Sequence, residues 1–291
     1  MTGRVNVVQF PHPGREHNPL RSNILMPWNS GLHRRKFLIS DGQWIGPANS
    51  SGSGPVTFWG EWEPPSRIVE RWRPEGGLPT CLHEPVLTTL PNKTELQNTD
   101  PLVFGSRFRY SNCKQFDRTN DKPSSLQDLE PGSVILFGSK EQGTTEFVLD
   151  TVLVVAAGRA YSPSDASCLA DEPFVRRVVV EPLSTFEEAL RWRFTLFDGA
   201  TPDDPTHGMF SFVPCMPAER APLRFARPRI QLQGLINPRS QQAPKGYTHR
   251  DRLDIEGARS AWRSVVEQVL DAGCVLGYGF PEPVLTDGPV R

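Results

Sequence analysis

Apolar positions along the chain follow two rhythms. In the middle they run almost unbroken: Ser133-Val134-Ile135-Leu136-Phe137-Gly138 after a Pro131-Gly132 turn, then Glu146-Phe147-Val148-Leu149-Asp150-Thr151-Val152-Leu153-Val154-Val155. Short apolar runs rich in β-branched residues and bounded by turn residues predict strands. Gln142-Gly143 between them suits a hairpin. Pro55 to Trp62, Arg177-Val178-Val179-Val180-Glu181 and Met209-Phe210-Ser211-Phe212-Val213 read as further strands. Near the C-terminus the rhythm changes. Ile255, Ala258, Trp262, Val265, Val266 and Val269 recur at helical spacing over 254–272, and Gly273 supplies the stop. Ser184-Thr185-Phe186-Glu187-Glu188 reads as a capped helix start leading to Trp192. Residues 1–35, the loop Asn49-Ser50-Ser51-Gly52-Ser53-Gly54 and residues 64–100 read as irregular.

These elements predict an α+β fold: a mostly antiparallel sheet or open barrel with a few helices and long Pro-rich loops. The 291 residues read as a single domain, with a strand-rich core over about 36–215 and a basic segment and helix over 216–291. Twenty-nine prolines, about one residue in ten and twice the usual share, explain the loops. No apolar run reaches the length of a membrane span and the first residues lack a signal-peptide core, so a cytoplasmic protein without a membrane partner is expected. The five cysteines (Cys81, Cys113, Cys168, Cys215, Cys274) have no zinc-finger or redox spacing and read as reduced thiols. A formal charge of −1 means that any nucleic acid must be met by a local patch.

Four constellations carry candidate chemistry. In Phe58-Trp59-Gly60-Glu61-Trp62-Glu63 an extended backbone puts Trp59, Glu61 and Glu63 on one face. Paired carboxylates beside an aromatic wall suit glycosyl transfer, and Trp59 offers a stacking surface for a sugar or base. The alternative is a solvated strand edge. His12-Pro13-Gly14-Arg15-Glu16-His17 could ligate a metal or clamp a phosphate or sugar, or be ordinary loop polarity. Its spacing matches no zinc motif, so no metal and no cofactor is assigned. Asn98, Asp100, Phe104, Tyr110, Asn112 and Gln115 supply amides and aromatics of the kind that read and stack a flipped base, and Asp100 could hold an attacking water. Asn98-Thr99-Asp100-Pro101 is equally a turn sequence. Cys113 has no local activator as a nucleophile. Finally, Arg34, Arg35, Arg224, Arg227, Arg229, Arg239 and Lys245, with Arg15, could follow a DNA backbone, although charge runs are usually solvated faces. P-loop, dinucleotide-binding, nucleophile-elbow, HExxH and zinc-deaminase signatures are absent.

The segments His12-Pro13-Gly14-Arg15-Glu16-His17, Trp28-Asn29, His33-Arg34-Arg35-Lys36-Phe37, Phe58-Trp59-Gly60-Glu61-Trp62-Glu63, Gln97-Asn98-Thr99-Asp100-Pro101, Tyr110-Ser111-Asn112-Cys113 and Leu136-Phe137-Gly138-Ser139 resemble the bacterial nucleotide-modification-associated families, and among them the Brig-type phage-defence DNA glycosylases. The resemblance covers residues 10–155 best and 209–237 more loosely. It implies excision of glucosylated hydroxymethylcytosine from phage DNA and assigns no catalytic residue. The roles expected here come from the residues themselves: Glu61, Glu63 or Asp100 activates water; Trp59, Phe104 and Tyr110 stack; Asn29, Asn98, Asn112, Gln115, His12, Glu16 and His17 line the base or sugar; the basic residues hold phosphates. No obligate protein partner is inferred. The alternative is a non-catalytic PUA-like reader of modified bases. A base-modifying transferase is a third option, and it would need a donor that the sequence does not reveal.

Overall fold

The computed structural model describes residues 4–11, 15–17, 34–88, 98–140, 146–219, 223–231 and 253–286. In chain order its main paired elements are β1 (Val7–Pro11), β2 (Lys36–Ile45), β3 (Ser51–Gly60), β4 (Ser66–Arg71), β5 (Cys81–Pro85), β6 (Arg109–Tyr110), β7 (Val134–Lys140), β8 (Phe147–Tyr161), β9 (Phe194–Gly199), β10 (Val213–Pro217), β11 (Arg229–Ile230), helix α1 (Ile255–Asp271) and β12 (Val275–Tyr278). They form two mostly antiparallel sheets, the α+β architecture expected. The first has the order β1-β7-β8-β9-β6, with β11 also on β8; the second has the order β12-β10-β3-β2-β5-β4. The second closes on itself, because β12 pairs with β10 and also with the Gln43–Ile45 end of β2. Two parallel pairings, β1 with β7 and β2 with β5, are the exceptions.

The unbroken apolar runs have a direct cause. Ile135, Phe137, Leu153 and Val155 enter one core cluster, while Val134, Leu136, Val152 and Val154 enter the other. Strands buried on both faces lose the alternation that marks a half-exposed strand. The register Val134↔Val154, Ile135↔Leu153, Leu136↔Val152 slips after Phe137 at Gly138. A Cβ at Gly138 would stand 2.1 Å from the Val148 carbonyl oxygen and 2.7 Å from the Phe147 ring. Gly138→Ala is therefore expected to cost about 1–3 kcal/mol, read as a lowered urea midpoint. An unchanged midpoint would contradict this register.

Helix α1 forms as expected. The Asp254 side chain accepts from the Gly257 N–H at 2.7 Å, Ala258, Trp262, Val265 and Val269 are buried, and Gly273 ends it at φ +80°. Ile255 and Val266 are only half-buried.

Several local expectations are corrected. Residues 7–11 are a strand inside the region read as irregular, and the Ser-Gly run belongs to β3 after a short turn at Pro47–Asn49. Strands β4 and β5 occupy the stretch read as a long loop. Strand β10 starts where the predicted strand 209–213 was to end. The start at Ser184 becomes a 3-10 turn, Glu187–Arg191, with no side-chain cap. The valine run 177–181 is helical: Pro173–Val175 and Glu181–Ser184 are α-turns around a π-turn, Arg176–Val180. Packing overrides β-propensity here, because Val178, Val179 and Val180 are all buried in the first core.

Candidate functional site

The π-turn sets the position of the Asp100 loop. The Val178 carbonyl accepts from the Thr99 N–H at 3.2 Å, and the Val179 carbonyl accepts from Asn98 Nδ2 at 3.2 Å. Thr99 Oγ1 also accepts from the Glu63 N–H at 3.2 Å. Asp100 is thereby fixed in the interior beneath the turn 111–113. Its Oδ1 accepts from the Ser111 N–H at 2.8 Å, and its Oδ2 accepts from Asn112 and Cys113 at 2.9 and 2.6 Å. The turn is closed by the Tyr110 hydroxyl donating to the Cys113 carbonyl at 2.7 Å. Three N–H donors favour the carboxylate, but burial outweighs them and Glu61 adds to it. The Asp100 carboxyl is pushed up to about 6.

Beside it a buried cation joins the two sheets. Arg35, one residue before β2, pairs through Nη1 with Glu61 just past β3. Its Nε donates to Asp150 Oδ2 on β8 at 2.7 Å. Arg227 reaches Asp150 Oδ1 at 3.2 Å and lies over the Trp59 ring, 5.4 Å from its centroid. Burial works against the Arg35 charge, but Glu61 and Asp150 hold it firmly protonated. Around Asp100 the buried groups without a partner include Arg35 Nη2, Asn112 Nδ2 and Ser111 Oγ. Burial pushes the Cys113 thiol far up, with Asp100 adding to the effect, so it is no nucleophile at neutral pH.

A second polar cluster adjoins the first. Residues 15–17 bridge to Arg35, with His17 N–H donating to the Arg35 carbonyl at 2.8 Å. Lys36 is buried and donates to the Pro64 carbonyl at 2.9 Å. His83 on β5 is buried, and its Nδ1 shares a hydrogen bond with Ser66 Oγ at 2.9 Å. The His17 and His83 rings are 6.0 Å apart. Burial and then Lys36 lower both: His17 to about 4, with Arg34 contributing, and His83 to about 3, with His17 and Arg71 contributing. Burial lowers Lys36 to about 8, opposed by Glu63.

These shifts make a signed prediction. A histidine whose folded value lies below its unfolded 6.5 costs stability as pH falls from 6.5 toward that folded value. Asp100, raised from 3.8 to about 6, acts in the opposite sense, losing stability as pH rises through 6. Two histidines outweigh one carboxyl, so stability falls on acidification. His83 alone contributes about 2 kcal/mol of that loss at about pH 5. Urea midpoints should drop between neutral pH and that value, and His83→Gln should flatten the slope. A midpoint that rises would contradict the assignment.

The structure thus brings together Arg35, Glu61, Asp100 and Asn112, with Glu16, His17 and Glu63 nearby, all drawn from segments the sequence marks. Glu16 Oε1 accepts from the Thr80 and Cys81 N–H groups at 2.7 and 3.0 Å. Other expectations change. Trp59, Phe104 and Tyr110 are core residues: Trp59 donates to the Phe225 carbonyl at 2.9 Å and packs on Phe37, Phe104 packs against Trp62, and Tyr110 stacks on Phe197. With no exposed ring face, none of them can stack on a base. Gln115 clamps Thr195, donating to its carbonyl at 2.7 Å and accepting from its N–H at 2.8 Å, and Asn98 holds the π-turn, so neither reads a base edge. Arg35 is buried and paired with Glu61 and Asp150, not on an exposed basic face. The face-sharing of Trp59, Glu61 and Glu63 ends with the strand at Gly60.

No family model, curated protein or solved structure matches the chain. The site is therefore read from its own chemistry.

Of the basic residues, Arg15 is exposed and Arg34 half-buried. Arg224 lies over Trp72 and pairs with Glu75 at 2.6 Å, and Arg229 pairs with Glu146 at 3.1 Å. His12, Asn29, Arg239 and Lys245 lie outside the described residues. Sequence reasoning missed Asp150 and His83, and took Lys36 only as part of the basic cluster Arg34-Arg35-Lys36. A pocket of about 170 Å3 bounded by Gln43, Arg107, Asp203 and Tyr278 lies at the opposite end of β2 and includes none of the residues singled out above. Among the described residues no cluster of histidine, cysteine and carboxylate side chains could hold a metal ion, and no helix is long and apolar enough to cross a membrane.

Proposed function

We propose that the chain is a DNA glycosylase hydrolysing the N-glycosidic bond of a bulky modified cytosine, the glucosylated hydroxymethyl base of phage DNA. The observation that carries this reading is Asp100: a rigid buried carboxyl poised at about 6, with one N–H on Oδ1 and two on Oδ2. The lighter load on Oδ1 leaves acceptor capacity for a water. A general base is most effective with its pKa near the working pH. The target nucleotide is flipped from the duplex, as its glycosidic carbon is inaccessible in the stack. Water gives its proton to Asp100 as its oxygen bonds to C1′, and the C1′–N bond breaks with its electron pair leaving on the base. The unpartnered donors Arg35 Nη2 and Asn112 Nδ2 suit the negative charge growing on the departing base. Glu61 holds Arg35, and Glu63 is a second acid at the half-buried rim. Arg15 and Arg34 serve the phosphate backbone. The resemblance of the segments around the site to phage-defence glycosylases supports the same substrate.

A reader of modified bases is the second reading. It is favoured by the pairing of Glu61 with Arg35, which takes one candidate acid away from water. The test uses duplexes carrying cytosine, hydroxymethylcytosine or its glucosylated form, followed by alkali. Strand breaks confined to the glucosylated duplex are expected. Intact DNA with a selective mobility shift would establish the reader instead, and neither effect would overturn both readings.

A further inference from the structure

The Lys36 cluster is not used by the excision step. Lys36 Nζ makes one hydrogen bond, to the Pro64 carbonyl, so two of its three N–H bonds remain for a ligand. His83 is 1% exposed; with Nδ1 engaged by Ser66, its Nε2 is buried without a partner. An unsatisfied buried ring nitrogen is costly, and such a group needs a reason. The groups acting on the two rings come from three segments, Arg34 and Lys36, His17, and Arg71 on β4, while Glu63 acts on Lys36. Every charge that acts on His17 or His83 is positive or another imidazole. The nearby Glu16 is tied to the Thr80 and Cys81 N–H groups. The result is a buried cluster of net positive field with unused polar atoms, edged by the half-buried His17 and Arg34.

We propose that His17, Lys36 and His83, with Arg34 at the rim, form a binding site for a phosphate group. The chemistry fits a phosphate oxygen, which accepts from an ammonium and from ring N–H groups at once. On the glycosylase reading the group is the phosphodiester beside the flipped nucleotide; the same donors would take a free phosphate. A bound anion would reverse the field at the two imidazoles, so ligand and proton binding reinforce one another: affinity rises as pH falls below neutral, and the ligand raises the titration midpoints of both rings.

The test is a proton NMR titration of the histidine ring C–H resonances of the full chain. It is run with inorganic phosphate, with a short oligothymidylate, and with sodium chloride at matched ionic strength. The expected result is an upward shift of the His17 and His83 midpoints with phosphate or the oligonucleotide and not with chloride. Response to the oligonucleotide identifies the backbone diester; response to inorganic phosphate alone identifies a free phosphate or monoester. Lys36→Met, which removes a buried charge without opening a cavity, should keep the folded spectrum and weaken binding at least about tenfold. Arg34→Gln at the rim should weaken it without disturbing the fold. Histidine midpoints unmoved by either ligand, or affinity unchanged in both variants, would overturn the site. Base excision is measured separately, so loss of the glycosylase reading with the histidine shifts retained is distinguishable from loss of the phosphate site.

Discussion

Arg35→Met is expected to lower the free energy of unfolding by about 3–5 kcal/mol. The guanidinium pairs with Glu61 and is one of two cations on Asp150, and all three side chains are buried. Removing it leaves Glu61 as a buried anion without that cation, while Arg227 still partners Asp150. The penalty is that of breaking a buried ion pair from one side, larger than the net worth of the pair. Glu61→Gln keeps an acceptor for Arg35 and should cost about 1–3 kcal/mol. The check is a pair of urea titrations on the purified variants. An Arg35→Met midpoint equal to that of the parent would show that the cation does not join the two sheets.

Asp100→Asn should reduce base excision by about 100- to 10,000-fold, the usual worth of a positioned general base. Asparagine has one acceptor oxygen where the site presents three N–H donors to two, so at least one donor loses its partner. A stability loss of about 1–3 kcal/mol accompanies the change. Single-turnover excision and urea unfolding on the same preparation separate the two effects. A folded variant that keeps full excision would remove Asp100 from the chemistry.

Much of this architecture is legible in the sequence, for reasons that differ by element. Helix α1 is written in its 3.6-residue spacing and its Asp254 cap, and the β7–β8 pair in its β-branched runs. The site segments stand out because polar and charged residues crowd into short stretches such as Glu61-Trp62-Glu63 and Asn98-Thr99-Asp100. Their roles are less legible. Composition does not say which face of a strand an aromatic occupies, so Trp59, Phe104 and Tyr110 look like a base cage and are core. The valine run 177–180 looks like a strand because its helical state depends on packing and on carbonyls bonded to Asn98 and Thr99. Asp150 did carry a signal: it is the lone acid within the apolar run of β8, a place where a charge must be paired. His83 carried none and Lys36 only that of the basic cluster Arg34-Arg35-Lys36, since only the parallel pairing of β2 with β5 brings the two segments together.

On the proposed function Asp100 is the base of the excision reaction. Its most direct measurement is the pH dependence of single-turnover release of the glucosylated base, followed by mass spectrometry of the freed base. The expected rate climbs as the carboxyl loses its proton and levels off above an inflection near 6, with that inflection absent from the residual rate of Asp100→Asn. A profile flat through that region, or one unchanged in the variant, would contradict it.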